Sequence, residues 1–183
     1  YKYLGVTIAN NLSWNLHIDN ICSSALRKLY FLRHKLKSAP PNVKLLAYYS
    51  LIRPKLEYAC VVWDPFTKQN IKSLERVQRK AVRFIYSKFS RYDSPSEIMR
   101  NNGIELLEHR RKDLRLRLLS MLCEGNLAFG SSSYLSLSTS RLTRHHHPNS
   151  LTPYFARTDV FKFSFFPRTI ADWNDSLLPV SID

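Results

Sequence analysis

From Trp14 to Leu36 the apolar residues recur at helical spacing: Trp14, Ile18, Ile21, Cys22, Ala25, Leu26, Leu29, Leu32 and Leu36. A repeat near 3.6 residues, held for about six turns, predicts a long amphipathic helix and excludes a strand, whose buried face repeats every second residue. Ser13 is the expected N-cap, and Ala39-Pro40-Pro41 the stop. The same period returns three times. Val43 to Trp63 is apolar on nearly every side, which predicts a central bundle helix, kinked at Pro54. Gln69 to Phe89 places Ile71, Leu74, Val77, Ala81, Val82, Phe84 and Ile85 on one side. Leu107, Leu114, Leu118, Met121 and Leu122 mark a further helix that frays at Gly125, after a short one that starts at Ser94-Pro95 and stops at Asn102-Gly103.

The two ends read differently. Tyr1 to Ala9 alternates Leu4, Val6 and Ile8 on one face, so a short strand, or one arm of a hairpin, is expected there. A chain that opens on Tyr1 in strand-like sequence is expected to be a piece of something longer. Residues 126–153 are Ser- and His-rich and read as a linker, with the run His145-His146-His147 in a solvated loop. Residues 154–183 form an aromatic segment in which Val160, Phe161, Phe163, Phe165 and Phe166 predict a strand, broken by Pro167. Trp173 and the Phe residues are expected in a core plug, and Thr169 to Leu177 forms one or two helical turns. The fold class is therefore mainly α: a helical bundle over 13–125, a β element over 1–12, and a small C-terminal segment with a short strand.

Charge bounds the function. The chain carries 28 Lys and Arg against 14 Asp and Glu, a net +14, which favours an anionic partner, nucleic acid first. The excess is not spread evenly. Lys72, Arg76, Arg79, Lys80 and Arg83 share the side of the third long helix opposite its apolar residues, with only Glu75 as an offset. A solvated helix face ordinarily mixes signs as i,i+4 pairs, whereas like charges at that spacing cost a few tenths of a kcal/mol each. Polyphosphate would offset that repulsion. Arg27 and Lys28 load the first helix in the same sense, and Tyr86, Phe89 and Tyr92 stand nearby, able to stack on bases although core packing is the simpler reading of the Phe.

Catalytic signatures do not emerge. With four glycines there is no phosphate-binding loop, and no G-x-S-x-G or D-x-D occurs. Asp172 and Asp175 read as solvated acids, His17 and His34 as surface residues of their helix. Cys22, Cys60 and Cys123 are odd in number and each sits in an apolar pattern. That fits buried, reduced thiols in an intracellular protein, nuclear or cytoplasmic, and no zinc spacing is present. The longest fully apolar run, Tyr58 to Trp63, is far shorter than the roughly 20 residues a membrane helix needs, so no membrane partner is expected.

Four stretches together, in order, resemble one family. "YKYLGVTIANNLSWNLHI", "LLAYYSLIRPKLEYACVVWDP", "IKSLERVQRKAVRFI" and "FKFSFFPRTIADWNDSLLP" are similar to the region beyond the catalytic palm in reverse transcriptases of non-LTR retrotransposons (LINE elements, Jockey-like branch). The resemblance implies that Tyr3-Leu4-Gly5 belongs to the primer-grip-like strand beside the palm. It implies that the helices over Trp14 to Glu124 are thumb-like and hold RNA or an RNA–DNA hybrid. The palm of the same polyprotein is then a further partner. The family's tyrosine-x-Asp-Asp motif, which binds two Mg²⁺, is not in this chain, so Mg²⁺ is expected only in the palm and no cofactor in this piece, which should have no polymerase activity of its own. Two other readings stay open: a helical protein-interaction or structural module, and an enzyme whose site the sequence does not reveal.

Overall fold

The computed structural model describes residues 1–126, 134–137, 147 and 149–177. By its internal contacts the chain divides into two compact units, Tyr1–Arg111 and Lys112–Asp183. The division falls inside the expected 13–125 module. Most of the expected linker, with His145 and His146, lies outside the described residues.

The first unit opens on a hairpin. β1 (Lys2–Tyr3) pairs antiparallel with β2 (Val6–Thr7), Lys2 opposite Thr7 and Tyr3 opposite Val6. Leu4 (φ 43°) and Gly5 (φ 84°) form the loop, and positive φ at both is what a type I′ turn requires. A Cβ on Gly5 would lie 3.3 Å from Tyr58 Cε1, and the Tyr58 hydroxyl donates to the Leu4 carbonyl at 3.1 Å. The expected strand through Tyr3-Leu4-Gly5 is thus corrected: only Tyr3 is in a strand, and Leu4 is exposed at the turn. Alternation counted across a two-residue turn does not describe one face, because the chain reverses between the counted residues.

α1 (Asn15–Lys35) buries Ile18, Cys22, Ala25, Leu29 and Leu32, the predicted stripe. It packs against α5 (Lys68–Ile85), which buries Leu74, Val77, Ala81, Val82, Phe84 and Ile85. His17, expected at the surface, is buried on α1. Its Nδ1 accepts the Thr7 N–H at 3.2 Å, tying the hairpin to the helix, and its ring meets Trp63 edge-on. Between these helices the chain is not one kinked rod. It runs through α2 (Pro41–Ala47), a wide π turn over Tyr48–Ile52, α3 (Arg53–Glu57) and, after Ala59 at φ 51°, α4 (Cys60–Trp63). The π turn lies immediately before Pro54, whose ring and missing N–H do not fit a regular ladder. Lys44, Tyr48, Ile52, Leu56 and Cys60 form one buried stripe, while Leu46, Leu51 and Val62 are exposed. The all-round apolar character of this segment does not bury it on all sides.

α6 (Pro95–Asn101) begins as read, with Ser94 Oγ accepting the Glu97 N–H. Its Met99 joins Val82 and Ile104 in a cluster flanked by Leu45, Tyr86, Ile98 and Leu106. α7 (Leu107–Cys123) carries Arg111, fully buried, with Nε 2.6 Å from Asp64 Oδ1.

In the second unit the expected Phe-rich strand is helix. Thr158 caps α8 (Asp159–Lys162), and α9 (Phe165–Leu177) holds Pro167 in its first turn, where an N–H has no intrahelical partner to lose. Phe166, Ile170 and Trp173 recur at helical spacing against Leu119 and Leu151, so the period of burial decides against β-propensity. Trp173 is half-buried rather than a buried plug, and its Nε1 donates to the Asn149 carbonyl at 3.1 Å. Asp172 is not a free solvated acid; it pairs with Lys112 at 3.1 Å and Arg115 at 3.0 Å.

Removing one partner of the Asp64–Arg111 pair strands a buried charge. Asp64→Ala is expected to lower unfolding free energy by roughly 3–5 kcal/mol, while the double change Asp64→Leu with Arg111→Met costs far less. Urea denaturation checks both. A loss under about 1 kcal/mol for Asp64→Ala would show that the pair does not hold the unit together.

Candidate nucleic-acid interface

Packing of α1 on α5 turns the buried stripe of α5 inward and leaves the basic side out. Lys72, Arg76, Arg79 and Lys80 are all exposed. Among the described residues none of the four forms an ion pair, with Glu75 or with any other acid. Glu75 is buried, and its Oε1 accepts the Glu108 N–H at 3.0 Å, at the α7 N-terminus where an anion is favoured. Burial pushes the Glu75 carboxyl above its ordinary range, and the Glu108 N–H partly opposes that.

Arg83 departs from the set. Its Nη1 donates to the Ser90 carbonyl and its Nη2 to the Asp93 carbonyl, each at 3.0 Å. It clamps the loop after α5 and is only half exposed. The aromatic neighbours divide as well: Tyr86 is half-buried, while Phe89 and Tyr92 are exposed, so core packing is not the role of Phe89.

Arg27 and Lys28 stand on the outer side of α1, Arg27 exposed and the Lys28 ammonium 5.9 Å from the Phe31 ring. They line a cleft of about 830 Å³ between the hairpin, α1 and residues 50–58. Lys2 and Lys55 line it too, with Ser23, Ser24 and Ser50, and no carboxylate does. On the other flank of α1 a groove of about 140 Å³ is lined by Arg76 and Lys80 of α5 and by Asp19, Ser23 and Leu26 of α1. Ser23 faces both, so the outer ridge of α1 has cations on either side. Lys2 and Lys55 escaped the sequence reading because they lie far from the basic runs, and only the hairpin turn and the π turn bring them here. Of the three residues that the resemblance assigns to a primer-grip-like strand, Tyr3 and Leu4 project into solvent and Gly5 lines the cleft.

Four cations of α7 behave otherwise. Arg110 pairs with Glu57 and Glu105, Arg111 with Asp64, and Lys112 and Arg115 with Asp172. Four of the five Lys and Arg side chains of this basic helix are thus ion-paired, and Arg117 is exposed without an ion pair among the described residues.

Thiol and imidazole chemistry is muted. Burial pushes the Cys22 and Cys60 thiols up to about 11, and Cys123, expected to be buried, is exposed. Burial lowers the His17 pKa. Among the described residues no three His, Cys, Asp or Glu side chains group to hold a metal ion, and no helix is long and apolar enough to cross a membrane. No protein-family model, curated protein or solved structure matches the chain.

Two outcomes follow. Arg83→Gln is expected to cost about 1–2 kcal/mol in stability, whereas Arg79→Gln stays within about 0.5 kcal/mol; equal effects would remove the distinction between clamp and surface cation. A base with a lowered folded-state pKa is protonated first in the unfolded chain. Stability should therefore fall as pH drops below about 6.5, toward the folded-state pKa. His17→Gln, which keeps an acceptor for the Thr7 N–H, should flatten that slope in pH-dependent urea titrations.

Proposed function

We propose that the chain is the post-palm, thumb-like part of a non-LTR retrotransposon reverse transcriptase, and that it holds RNA or an RNA–DNA hybrid by its phosphates. The observation that carries the reading is the unequal pairing of charge. Arg110, Arg111, Lys112 and Arg115 of α7 pair with carboxylates and only Arg117 does not, while Lys72, Arg76, Arg79 and Lys80 on α5 form no ion pair among the described residues. Unpaired cations on a rigid face release counterions when they meet phosphates, which gives affinity with little dependence on base sequence. Arg27, Lys28, Lys2 and Lys55 extend the same field along the flank of α1. Polymer synthesis belongs to the palm, with its Asp residues and Mg²⁺. The residues present here bind and position, and no chemical step is assigned to them.

A second reading, a helical protein-interaction module, draws on the exposed apolar Leu46, Leu51 and Val62. One experiment separates the two. Fluorescence anisotropy with a short RNA–DNA hybrid, titrated with salt, should give a steep linear fall of log K with log salt. Replacing Lys72, Arg76, Arg79 and Lys80 with Gln should reduce the steepness by about 0.9 for each phosphate that is no longer neutralised. Unchanged slope and affinity would remove α5 as the grip, and absence of binding by the unaltered chain would favour the second reading.

A further inference from the structure

Among the described residues three helices close with the same pair of backbone hydrogen bonds, and one of them breaks the residue rule for that closure. After α6, Gly103 (φ 62°) donates to the Arg100 carbonyl and Ile104 to the Met99 carbonyl, and α7 ends alike. After α5, Ser87 donates to the Phe84 carbonyl at 3.3 Å and Lys88 to the Arg83 carbonyl at 3.0 Å, with Ser87 at φ 53°. That left-handed position ordinarily takes glycine, because a Cβ there is strained. Strain retained at one position invites a functional explanation. The hydroxyl that the serine brings is occupied: Ser87 Oγ lies 3.2 Å from Lys44 Nζ.

Lys44 is itself out of place. It is 4% exposed, on the buried stripe that continues through Tyr48 and Ile52, and its ammonium stands 5.2 Å from the Phe84 ring. Ser87 and that ring face are its partners, and no carboxylate pairs with it among the described residues. Arg33, whose guanidinium lies 5.1 Å from the Phe89 ring, and Lys37 join it around a pocket of about 350 Å³ walled by Phe84, Ser87 and Phe89. Three cations and no acid line this pocket. The C-termini of α1 and α5 explain part of the arrangement, since each presents about half a negative charge. Together they offset about one of the three positive charges and leave about two.

We propose that this pocket binds a phosphate monoester. A dianion of that size matches the residual charge, and the ammonium, guanidinium and Ser87 hydroxyl are the donors that phosphate oxygens recruit. Concavity separates it from the α5 face. Its floor, Lys44, is buried, so a terminal or free phosphate reaches it while the phosphodiesters of a continuous duplex remain outside. The proposal stands independently of the nucleic-acid reading, because it shares no residue with Lys72, Arg76, Arg79 and Lys80. The monoester has two sources, a small phosphate or nucleotide and the 5′-phosphate of a nucleic-acid end.

The test follows isotope-labelled protein by NMR at fixed ionic strength. Inorganic phosphate, a nucleoside 5′-monophosphate, and a single-stranded oligonucleotide with or without a 5′-phosphate are added separately. Expected are shifts centred on Ser87, Phe84 and Phe89. Lys44→Gln, and separately Arg33→Gln with Lys37→Gln, should weaken binding at least about tenfold. Ser87→Gly relieves the strained position, so it should unfold no earlier than the parent while still binding more weakly. Arg76→Gln with Arg79→Gln should leave these shifts unchanged. Response to inorganic phosphate or the nucleotide supports a small ligand. Response confined to the 5′-phosphorylated oligonucleotide supports a nucleic-acid end. No response from any of the probes, equal response of the two oligonucleotides without any to the small phosphates, or binding unchanged by all the pocket substitutions overturns the proposal.

Discussion

Burial of α1 against α5 is the contact from which the other features of the first unit follow. Each helix offers one stripe, Ile18 to Leu32 on α1 and Leu74 to Ile85 on α5, and each hides it on the other. Burying such side chains stabilises by roughly 1.5–3 kcal/mol apiece, far more than the few tenths that each like-charge neighbour on the α5 surface costs. The packing can therefore hold the basic side of α5 in an arrangement that its own electrostatics disfavour. Like charges are thereby held side by side on the α5 surface, an arrangement whose repulsion an anion would relieve.

Acids decide which cations are left unpaired. The chain has half as many carboxylates as Lys and Arg, and several of them point at α7 or its N-terminus: Glu57, Asp64, Glu75, Glu105 and Asp172. Ion pairs at the surface contribute little to stability, but the buried Asp64–Arg111 pair fixes geometry, because neither partner can leave the other without a large penalty. Concentrating acids on one helix has a consequence elsewhere. The exposed cations of α5 are left without ion pairs among the described residues, and Asp19 of α1 is the single acid lining the groove beside Arg76 and Lys80.

What could be read from the sequence was whatever repeats with the helical period. The buried faces of α1 and α5, the Ser94 cap and the stop at Gly103 were all legible, because local spacing and local chemistry determine them. Roles set by distant partners were not. Nothing near Arg83 distinguishes it from Arg79, and only the fold of the following loop makes it a clamp. Glu75 reads as a counter-charge until α7 is seen to begin on it. The Phe-rich stretch carries strand propensity, yet a helix satisfies its burial and accepts Pro167 in the first turn. His17 hides in the pattern because an imidazole at an apolar position looks the same whether it faces water or Trp63.

Lys44 shows the limit of that reading and its use. Its place on the stripe with Tyr48, Ile52, Leu56 and Cys60 is visible in the sequence as a charge at an apolar position. A buried ammonium is costly unless hydrogen-bonded and compensated, and stability alone would favour methionine or leucine there. The nearest compensation is a serine in a conformation that stability alone would assign to glycine. Two unfavourable choices meeting at 3.2 Å are hard to explain as separate accidents of packing. They are consistent with a pair kept for what it binds, since an anion seated on the ammonium and hydroxyl would offset the desolvation of the one and the backbone strain of the other.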